Sequence, residues 1–203
     1  MNNKLDYNTL NKAFLSLGAL LEDETTAQVN IVVCGGSSLI STRFVNRTTK
    51  DVDIVAMLDS NENIVEAQLL PETLLKAAGK VAASMSLPAF WLNNGPRSIV
   101  NPRLPNFGLP AGFSQRLKKR AYGTKLNIYF LDRIDQIYFK LFAAVDLGGP
   151  SRHLDDLNAL SPTDDELIAA AQWVKLQDPS ESFAEMMKTM LRMTGHDQVA
   201  ENL

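Results

Sequence analysis

Apolar positions along the chain follow two different periods, and these periods predict the order of helices and strands. In the first segment apolar residues recur every three or four positions, which predicts an amphipathic helix over residues 7–22. Unbroken apolar runs indicate three strands, at 29–34, 51–58 and 125–131. A Leu-, Ala- and Lys-rich segment predicts a further helix over 71–86.

The pattern after residue 131 is helical throughout. Helices are expected at 134–147, at 152–160, at 163–174 and from 180 onward. Thr163, with Glu166 three positions later, forms the pattern of a capping box. Gly148-Gly149-Pro150 ends the first of these helices, and it suggests a boundary between an α/β domain (1–148) and a helical C-terminal region (149–203).

A long segment between the second helix and the third strand, residues 87–123, has no clear period because prolines and glycines interrupt it. Structureless loops of this length are uncommon unless they are functional or mobile. From Thr73 to Leu131 the chain holds no acidic residue. The basic residues of this stretch are Lys76, Lys80, Arg97, Arg103, Arg116, Lys118, Lys119, Arg120 and Lys125. Such local charge favours phosphate-bearing partners, although a merely solvated basic face would look the same.

Composition narrows the class of protein. The chain has 203 residues and 45% hydrophobic residues, enough for a packed core. Its single cysteine excludes an intrachain disulfide and a cysteine-rich zinc site. No apolar run reaches the length of a membrane span, and the N-terminus lacks the pattern of a secretory signal. We therefore expect a cytoplasmic protein with no membrane partner.

The candidate chemistry lies where the first two strands meet their neighbouring turns. The first strand runs into Gly35-Gly36-Ser37-Ser38, and the second begins with Asp51-Val52-Asp53. Alternate residues of a strand share a face, so Asp51 and Asp53 should point the same way. A glycine turn lets backbone N–H groups approach a phosphate, and paired carboxylates bind a metal ion. The pattern predicts metal-assisted phosphoryl chemistry.

This constellation resembles the nucleotidyltransferase superfamily, which has the DNA polymerase β-like fold. The resemblance implies an α+β (α/β) fold with a short mixed sheet flanked by helices and a helical C-terminal half. It implies that Ser37, Ser38 and the glycines Gly35 and Gly36 contact a nucleoside triphosphate. It also implies that the pair Asp51/Asp53 is catalytic and holds one or two Mg²⁺ (or Mn²⁺) ions.

The downstream chain also resembles part of this superfamily. Segments 132–135, 140–144 and 152–157 look like the second half of bacterial toxin-type nucleotidyltransferases, the AbiEii-like and DUF6036 proteins. Lys140, alone in an apolar helix, either extends to solvent or reaches a phosphate, and the resemblance favours the phosphate. His153 and Asp156 form a polar cluster that is either structural or catalytic.

Two further cations, Lys125 and Arg116, are candidate phosphate contacts.

The superfamily usually carries a third carboxylate on the next strand, and the matching position here is Asn127. An asparagine can coordinate a metal weakly but cannot accept a proton. Asp132, at the end of that strand, is expected to cap the following helix.

The expected function is transfer of a nucleotidyl group from a nucleoside triphosphate to an RNA (tRNA-like) or protein acceptor. The basic segment 97–125 would contact the RNA, and a cognate toxin–antitoxin protein is a further expected partner. Asn127 supports an alternative, a catalytically degenerate fold that binds nucleotide or regulates a partner. A second alternative is an antitoxin-like or structural protein without a nucleotide site.

Overall fold

A computed structural model describes residues 4–24 and 27–203. The chain divides into two compact units, Met1–Leu131 and Asp132–Leu203. The division between Leu131 and Asp132 lies earlier in the chain than the boundary that the sequence suggested at Gly148. The helix before that glycine packs against later helices of the second unit, so it belongs with them. The glycines mark the end of a helix and not the edge of a compact unit.

A six-stranded mixed sheet forms the centre of the first unit. Its elements are α1 (Tyr7–Glu24), β1 (Val29–Cys34), α2 (Gly35–Ser41), β2 (Val52–Leu58), β3 (Ile64–Glu66), α3 (Glu72–Met85), β4 (Leu92–Asn93), α4 (Phe113–Arg116), β5 (Lys118–Ala121) and β6 (Leu126–Phe130). The strand order is β3-β2-β1-β6-β5, with β4 paired to β2. β1 runs parallel to β6 and antiparallel to β2.

One face of this sheet packs on helices α1 and α3. Phe14 of α1 contacts Phe130 of β6, with ring centroids 6.2 Å apart, and both rings belong to the main hydrophobic core. Val33 and Ile54 contribute to the same core from β1 and β2. Because strand side chains alternate between faces, Cys34 and Asp53 lie on the other face. The main hydrophobic core thus lies on one face of the sheet, whereas Asp53 lies on the other.

The segment 87–123 is more ordered than its sequence predicts. It contains β4, β5, α4 and two short 3₁₀ helices, Gly95–Ile99 and Pro105–Gly108. β5 is an edge strand of sequence Lys-Lys-Arg-Ala, so it lacks the apolar alternation by which a strand is recognised. Its hydrogen bonds to β6 define it, and lysines on such an edge discourage pairing with other chains.

The second unit is a helical assembly of α5 to α9. Its helices are α5 (Arg133–Leu147), α6 (Arg152–Ala159), α7 (Asp164–Gln177), α8 (Glu181–Met193) and α9 (Asp197–Glu201). Trp173 of α7 stacks on Phe139 of α5 at 5.6 Å between ring centroids. The predicted capping box of Thr163 and Glu166 is present, and Asp132 caps α5 as expected. The short α9 was not predicted.

These two units confirm the predicted fold class, a mixed sheet flanked by helices and followed by a helical C-terminal half. Within the described residues, no helix combines the length and apolar character needed to cross a membrane.

Candidate functional site

The end of β1 and the start of β2 bring the glycine turn and a carboxylate together. The two strands are antiparallel, and Cys34 pairs with Asp53. Gly35 follows with φ +67°, a conformation that favours glycine. A Cβ atom at Gly35 would lie 2.8 Å from Oδ2 of Asp53. Only a residue without a side chain therefore lets this carboxylate reach the turn.

Both predicted carboxylates are half-buried and have neutral hydrogen-bond donors. Asp51 Oδ1 accepts a hydrogen bond from Thr49 Oγ1 at 3.4 Å. Asp53 Oδ1 accepts one from Nδ2 of Asn93 at 3.2 Å. Asn93 is itself fixed, because its Oδ1 accepts a hydrogen bond from Gly95 N at 2.8 Å. One oxygen of Asp53 is thus held by an amide while the other faces Gly35.

The second glycine of the turn faces a cation. A Cβ atom at Gly36 would lie 2.9 Å from Nη2 and 3.2 Å from Nη1 of Arg47, and 3.0 Å from Oγ1 of Thr49. Sequence reasoning missed both Arg47 and Asn93. Arg47 could have been found as a basic residue in the short link before Asp51. Asn93 could not, since only the pairing of β4 with β2 brings it to Asp53.

The two serines after the glycines are buried and hydrogen-bonded within the protein. Ser37 Oγ donates to the carbonyl oxygen of Cys34 at 3.2 Å. Ser38 Oγ accepts from the backbone N–H of Leu131 at 3.2 Å. Both side chains are fully buried. Their hydroxyl groups fix α2 against the sheet, and their predicted contact with a nucleotide stays a prediction.

Two predicted site residues, Lys125 and Asn127, lie at the opposite end of the sheet from Asp53. β6 runs parallel to β1, so its first residues lie beside the first residues of β1. Asn127 pairs with Asn30, whose Oδ1 accepts a hydrogen bond from Asn127 Nδ2 at 2.8 Å. At about 3.3 Å per residue, the four residues from Asn30 to Cys34 span roughly 13 Å.

Lys125 lies still farther along the same strand, before Leu126, which pairs with Val29. Placing Lys125 and Asn127 beside the carboxylates therefore disagrees with the observed register. The apolar pattern identifies the strand, but it does not show which of its ends lies next to the glycine turn. Asn127 consequently does not occupy the position of a third metal ligand beside Asp53.

The cations of the basic segment differ in their exposure and in their contacts within the protein. Arg97 and Arg103 are exposed, and Nη1 of Arg97 donates to the carbonyl oxygen of Asn94 at 3.3 Å. Arg116, at the end of α4, donates from Nη1 to the carbonyl oxygen of Ala111 at 2.8 Å. The guanidinium of Arg120 lies 5.2 Å from the ring centroid of Phe130. A run of basic residues in the sequence thus yields a smaller set of cations available to a partner.

Lys119 illustrates these contacts. Its Nζ lies 2.7 Å from Oε1 of Glu62, which also accepts a hydrogen bond from the hydroxyl of Tyr129 at 2.7 Å. These two donors, Lys119 first, hold the pKa of Glu62 below its usual value. Glu62 in turn raises the pKa of Lys119. Burial, and then the carboxylate of Glu62, raise the pKa of Tyr129.

Three predicted residues lie in the second unit. Lys140 of α5 is buried, and its Nζ lies 2.7 Å from Oδ2 of Asp156 on α6, which is buried as well. His153 lies three positions before Asp156 on the same helix and is half-buried. The expected polar cluster therefore includes Lys140, whose ammonium group has a carboxylate partner. Its contact with a phosphate stays a prediction.

The donor set around Asp53 fits a hard divalent cation whose coordination is completed by other ligands. Among residues 4–24 and 27–203, no three His, Cys, Asp or Glu side chains are arranged to hold a metal ion. Mg²⁺ usually takes one or two carboxylates, with waters and substrate phosphates as the remaining ligands. Asp51 and Asp53 can supply those two carboxylates, with Oδ2 of Asp53 directed at the turn.

Comparison with known proteins gives one family match. The family described as a nucleotidyltransferase of unknown function (DUF6036) matches residues 8–148, which contain the sheet, the glycine turn and both carboxylates. No curated protein and no solved structure matches the chain. The match confirms the resemblance that the sequence motifs indicate.

Proposed function

The chain belongs to the DUF6036 family of nucleotidyltransferases. From this premise we propose that it uses Mg²⁺ to transfer a nucleotidyl group from a nucleoside triphosphate to an acceptor hydroxyl, which loses its proton while pyrophosphate leaves. The observation that carries the proposal is the pair of Asp51, immediately before β2, and Asp53, within β2, with a carboxylate oxygen of Asp53 against Gly35. Paired carboxylates beside a turn open to a phosphate chain suit phosphoryl transfer.

Each residue of the pair has a defined part in this proposal. Asp51 and Asp53 would hold the cation, which supplies charge neutralisation for the triphosphate and lowers the pKa of the acceptor hydroxyl. Asn93 orients Asp53 by donating a hydrogen bond to its Oδ1, and Oδ2 lies beside Gly35 at the turn. Gly35 and Gly36, which have no side chains, leave room beside the turn for the carboxylate of Asp53 and the guanidinium of Arg47.

An RNA is the acceptor that the charge distribution favours. β4 ends at Asn93 beside Asp53, and the exposed Arg97 follows four residues later. On the other side, Lys118 pairs with Phe130 near the same end of the sheet, three strands from β2. Strands about 4.8 Å apart put Lys118 roughly 14 Å from β2. A phosphate backbone could contact cations on both sides of the carboxylates.

The resemblance to toxin-type relatives adds a cognate antitoxin protein as a proposed partner.

The transfer itself can be tested without knowing that partner. The protein is incubated with total RNA, Mg²⁺ and each α-labelled nucleoside triphosphate in turn, beside the double variant Asp51→Asn/Asp53→Asn. We expect Mg²⁺-dependent labelling of RNA by the wild type and at least a hundredfold less by the variant. Equal labelling by both proteins would contradict the proposal.

A second candidate is a nucleotide-binding module with little turnover, as the sequence alternative suggests. The specific observation is the position of Asn127, since β6 brings no carboxylate beside Asp53 in the described chain. Triphosphate binding that needs Asp51 and Asp53, without labelling from any of the four nucleotides, would favour this candidate. Absence of triphosphate binding would exclude both.

A further inference from the structure

We propose that Arg47 binds the phosphate chain of the nucleotide, so that Arg47 and Gly36 form an anion subsite next to the carboxylates. The inference rests on the proposed function and deepens it, because it assigns the group that recognises the triphosphate. From the sequence we expected Lys125, Arg116 and Lys140 to contact the phosphates. The sequence does not show how far these residues lie from the glycine turn.

The geometry at Gly36 carries the proposal. Two nitrogens of the Arg47 guanidinium lie 2.9 and 3.2 Å from the position that a Cβ atom of Gly36 would occupy. The absent side chain therefore leaves room for the cation itself. Thr49 Oγ1, which donates to Asp51, lies 3.0 Å from the same position. The guanidinium, with several N–H donors, is a suitable partner for phosphate oxygens.

The Arg47 side chain is held in this place by the protein. Its Nη1 donates a hydrogen bond to the carbonyl oxygen of Thr48 at 2.9 Å. The residue is half-buried, so its charge is less screened than that of an arginine in bulk water. An ordered, partly desolvated guanidinium loses little conformational freedom when it binds an anion, because much of that freedom is already lost.

The two glycines of the turn lie beside side chains of opposite charge. Gly35 faces the carboxylate of Asp53, whereas Gly36 faces the guanidinium of Arg47. Consecutive Cα atoms are about 3.8 Å apart, so the two charged groups border one short stretch of backbone. A metal–triphosphate complex has both kinds of charge within the same distance. Its cation would meet Asp53 while its phosphate oxygens would meet Arg47.

The other predicted phosphate contacts have different surroundings. Lys125 lies about 20 Å along the sheet from the turn, just before the start of β6. Arg116 donates to the Ala111 carbonyl oxygen, and Lys140 pairs with Asp156 in the second unit. The guanidinium of Arg47 lies against Gly36 of the turn.

Two kinds of variant separate the subsite from a general loss of charge or fold. Arg47→Ala removes the guanidinium, and Arg47→Lys keeps one positive charge without the planar fork. Gly36→Ala keeps Arg47 but forces its guanidinium away, since the new methyl group would meet flexible side-chain atoms and not backbone. Arg192→Ala, at an exposed position on α8, is the matched control.

The probes are inorganic tripolyphosphate and the four nucleoside triphosphates, each with Mg²⁺, measured by isothermal titration calorimetry. Melting curves verify that each variant folds. We expect Arg47→Ala to weaken tripolyphosphate binding at least tenfold, as loss of charge-assisted hydrogen bonds does. Gly36→Ala and Arg47→Lys should weaken it several-fold, whereas Arg192→Ala should bind as the wild type does.

Wild-type affinity in folded Arg47→Ala would overturn the inference and leave the proposed function standing. If Arg47→Ala fails to fold, wild-type affinity in both Arg47→Lys and Gly36→Ala would overturn it equally. A wild-type protein that binds neither tripolyphosphate nor any nucleoside triphosphate would instead overturn the proposed function, and the subsite with it.

Discussion

Asp53 is held by a neutral partner on one oxygen and directed at the turn with the other. The amide of Asn93 fixes the carboxylate in this orientation without competing for the cation. We predict that Asn93→Ala weakens Mn²⁺ binding by about tenfold, because groups that orient metal ligands typically contribute this much. Titration of the protein with Mn²⁺, followed by electron paramagnetic resonance, measures the change.

Asn94→Ala is the control for this variant. Asn94 is the neighbouring amide, but its Nδ2 donates to the carbonyl oxygens of Ala67 and Gln68, at 2.6 and 3.2 Å. Its loss should lower the melting temperature while leaving Mn²⁺ affinity unchanged. If both variants lost Mn²⁺ affinity equally, the hydrogen bond to Asp53 would have no special role.

The sequence predicts that Gly35, Asp51 and Asp53 form one site. A glycine turn after one strand and two acidic residues at the start of the next strand form a pattern that can be recognised from the spacing of these residues. The sequence does not predict Asn93, which comes from a two-residue strand. It assigns Lys125 to the site because charge is visible in a sequence. The direction in which β6 runs beside β1 is not visible, since parallel and antiparallel pairing follow from contacts far apart in the chain.

Helix α1 lies unusually close to the backbone before β6. A Cβ atom at Gly18 would lie 2.0 Å from the carbonyl oxygen of Tyr122, and this oxygen belongs to backbone that cannot move away easily. We predict that Gly18→Ala destabilises the protein by about 3 kcal/mol, as overpacking at a rigid contact does. Chemical denaturation monitored by circular dichroism gives the free energy of unfolding.

Gly79 on α3, unlike Gly18, has open space where a side chain would lie. It is exposed, and a Cβ atom there would meet nothing within 4 Å. Gly79→Ala should therefore stabilise the protein by about 1 kcal/mol through helix propensity and a less flexible unfolded chain. Destabilisation by both substitutions, or by neither, would contradict the packing described for α1.

An ion pair in the second unit should make stability depend on pH. Arg133 Nη1 lies 2.6 Å from Oε1 of Glu166, and this guanidinium holds the pKa of Glu166 below its usual value of 4.5. A lowered carboxyl pKa contributes stability that is complete above 4.5 and is lost as the pH falls through the folded-state pKa.

We therefore predict that Glu166→Gln costs about 1 kcal/mol near pH 7, an amount typical of a partly exposed pair. Glutamine can retain the capping contact with Thr163, so the substitution isolates the charge. Urea denaturation at several pH values should show the difference from wild type shrinking below pH 4.5. A difference that persists unchanged into strong acid would rule out the ion pair as its cause.

The elements themselves follow from the sequence to unequal degrees. β1, β2, β6 and the longer helices α1, α3 and α5 to α8 have patterns strong enough to be predicted within a few residues. β5 does not, because Lys118, Lys119 and Arg120 look like a charged loop until β6 supplies their hydrogen bonds. Local pattern therefore identifies elements with their own apolar surface, whereas edge strands depend on partners distant in the chain.

At the scale of the whole molecule, charge is divided between the two units. Lys and Arg outnumber Asp and Glu by 14 to 10 in Met1–Leu131, whereas Asp and Glu outnumber Lys and Arg by 13 to 6 in Asp132–Leu203. The net charge of −3 conceals this difference. The unit with the carboxylate pair is thus the one suited to polyanions.

The most direct test of the account is Mn²⁺ binding with and without a nucleoside triphosphate, measured by electron paramagnetic resonance. For the wild type we predict that the triphosphate strengthens Mn²⁺ binding at least tenfold, because phosphate oxygens complete the coordination begun by Asp51 and Asp53. Asp51→Asn/Asp53→Asn should abolish this effect while keeping the wild-type fold. Mn²⁺ binding that is identical in wild type and variant, with every nucleotide, would contradict the assignment of the site.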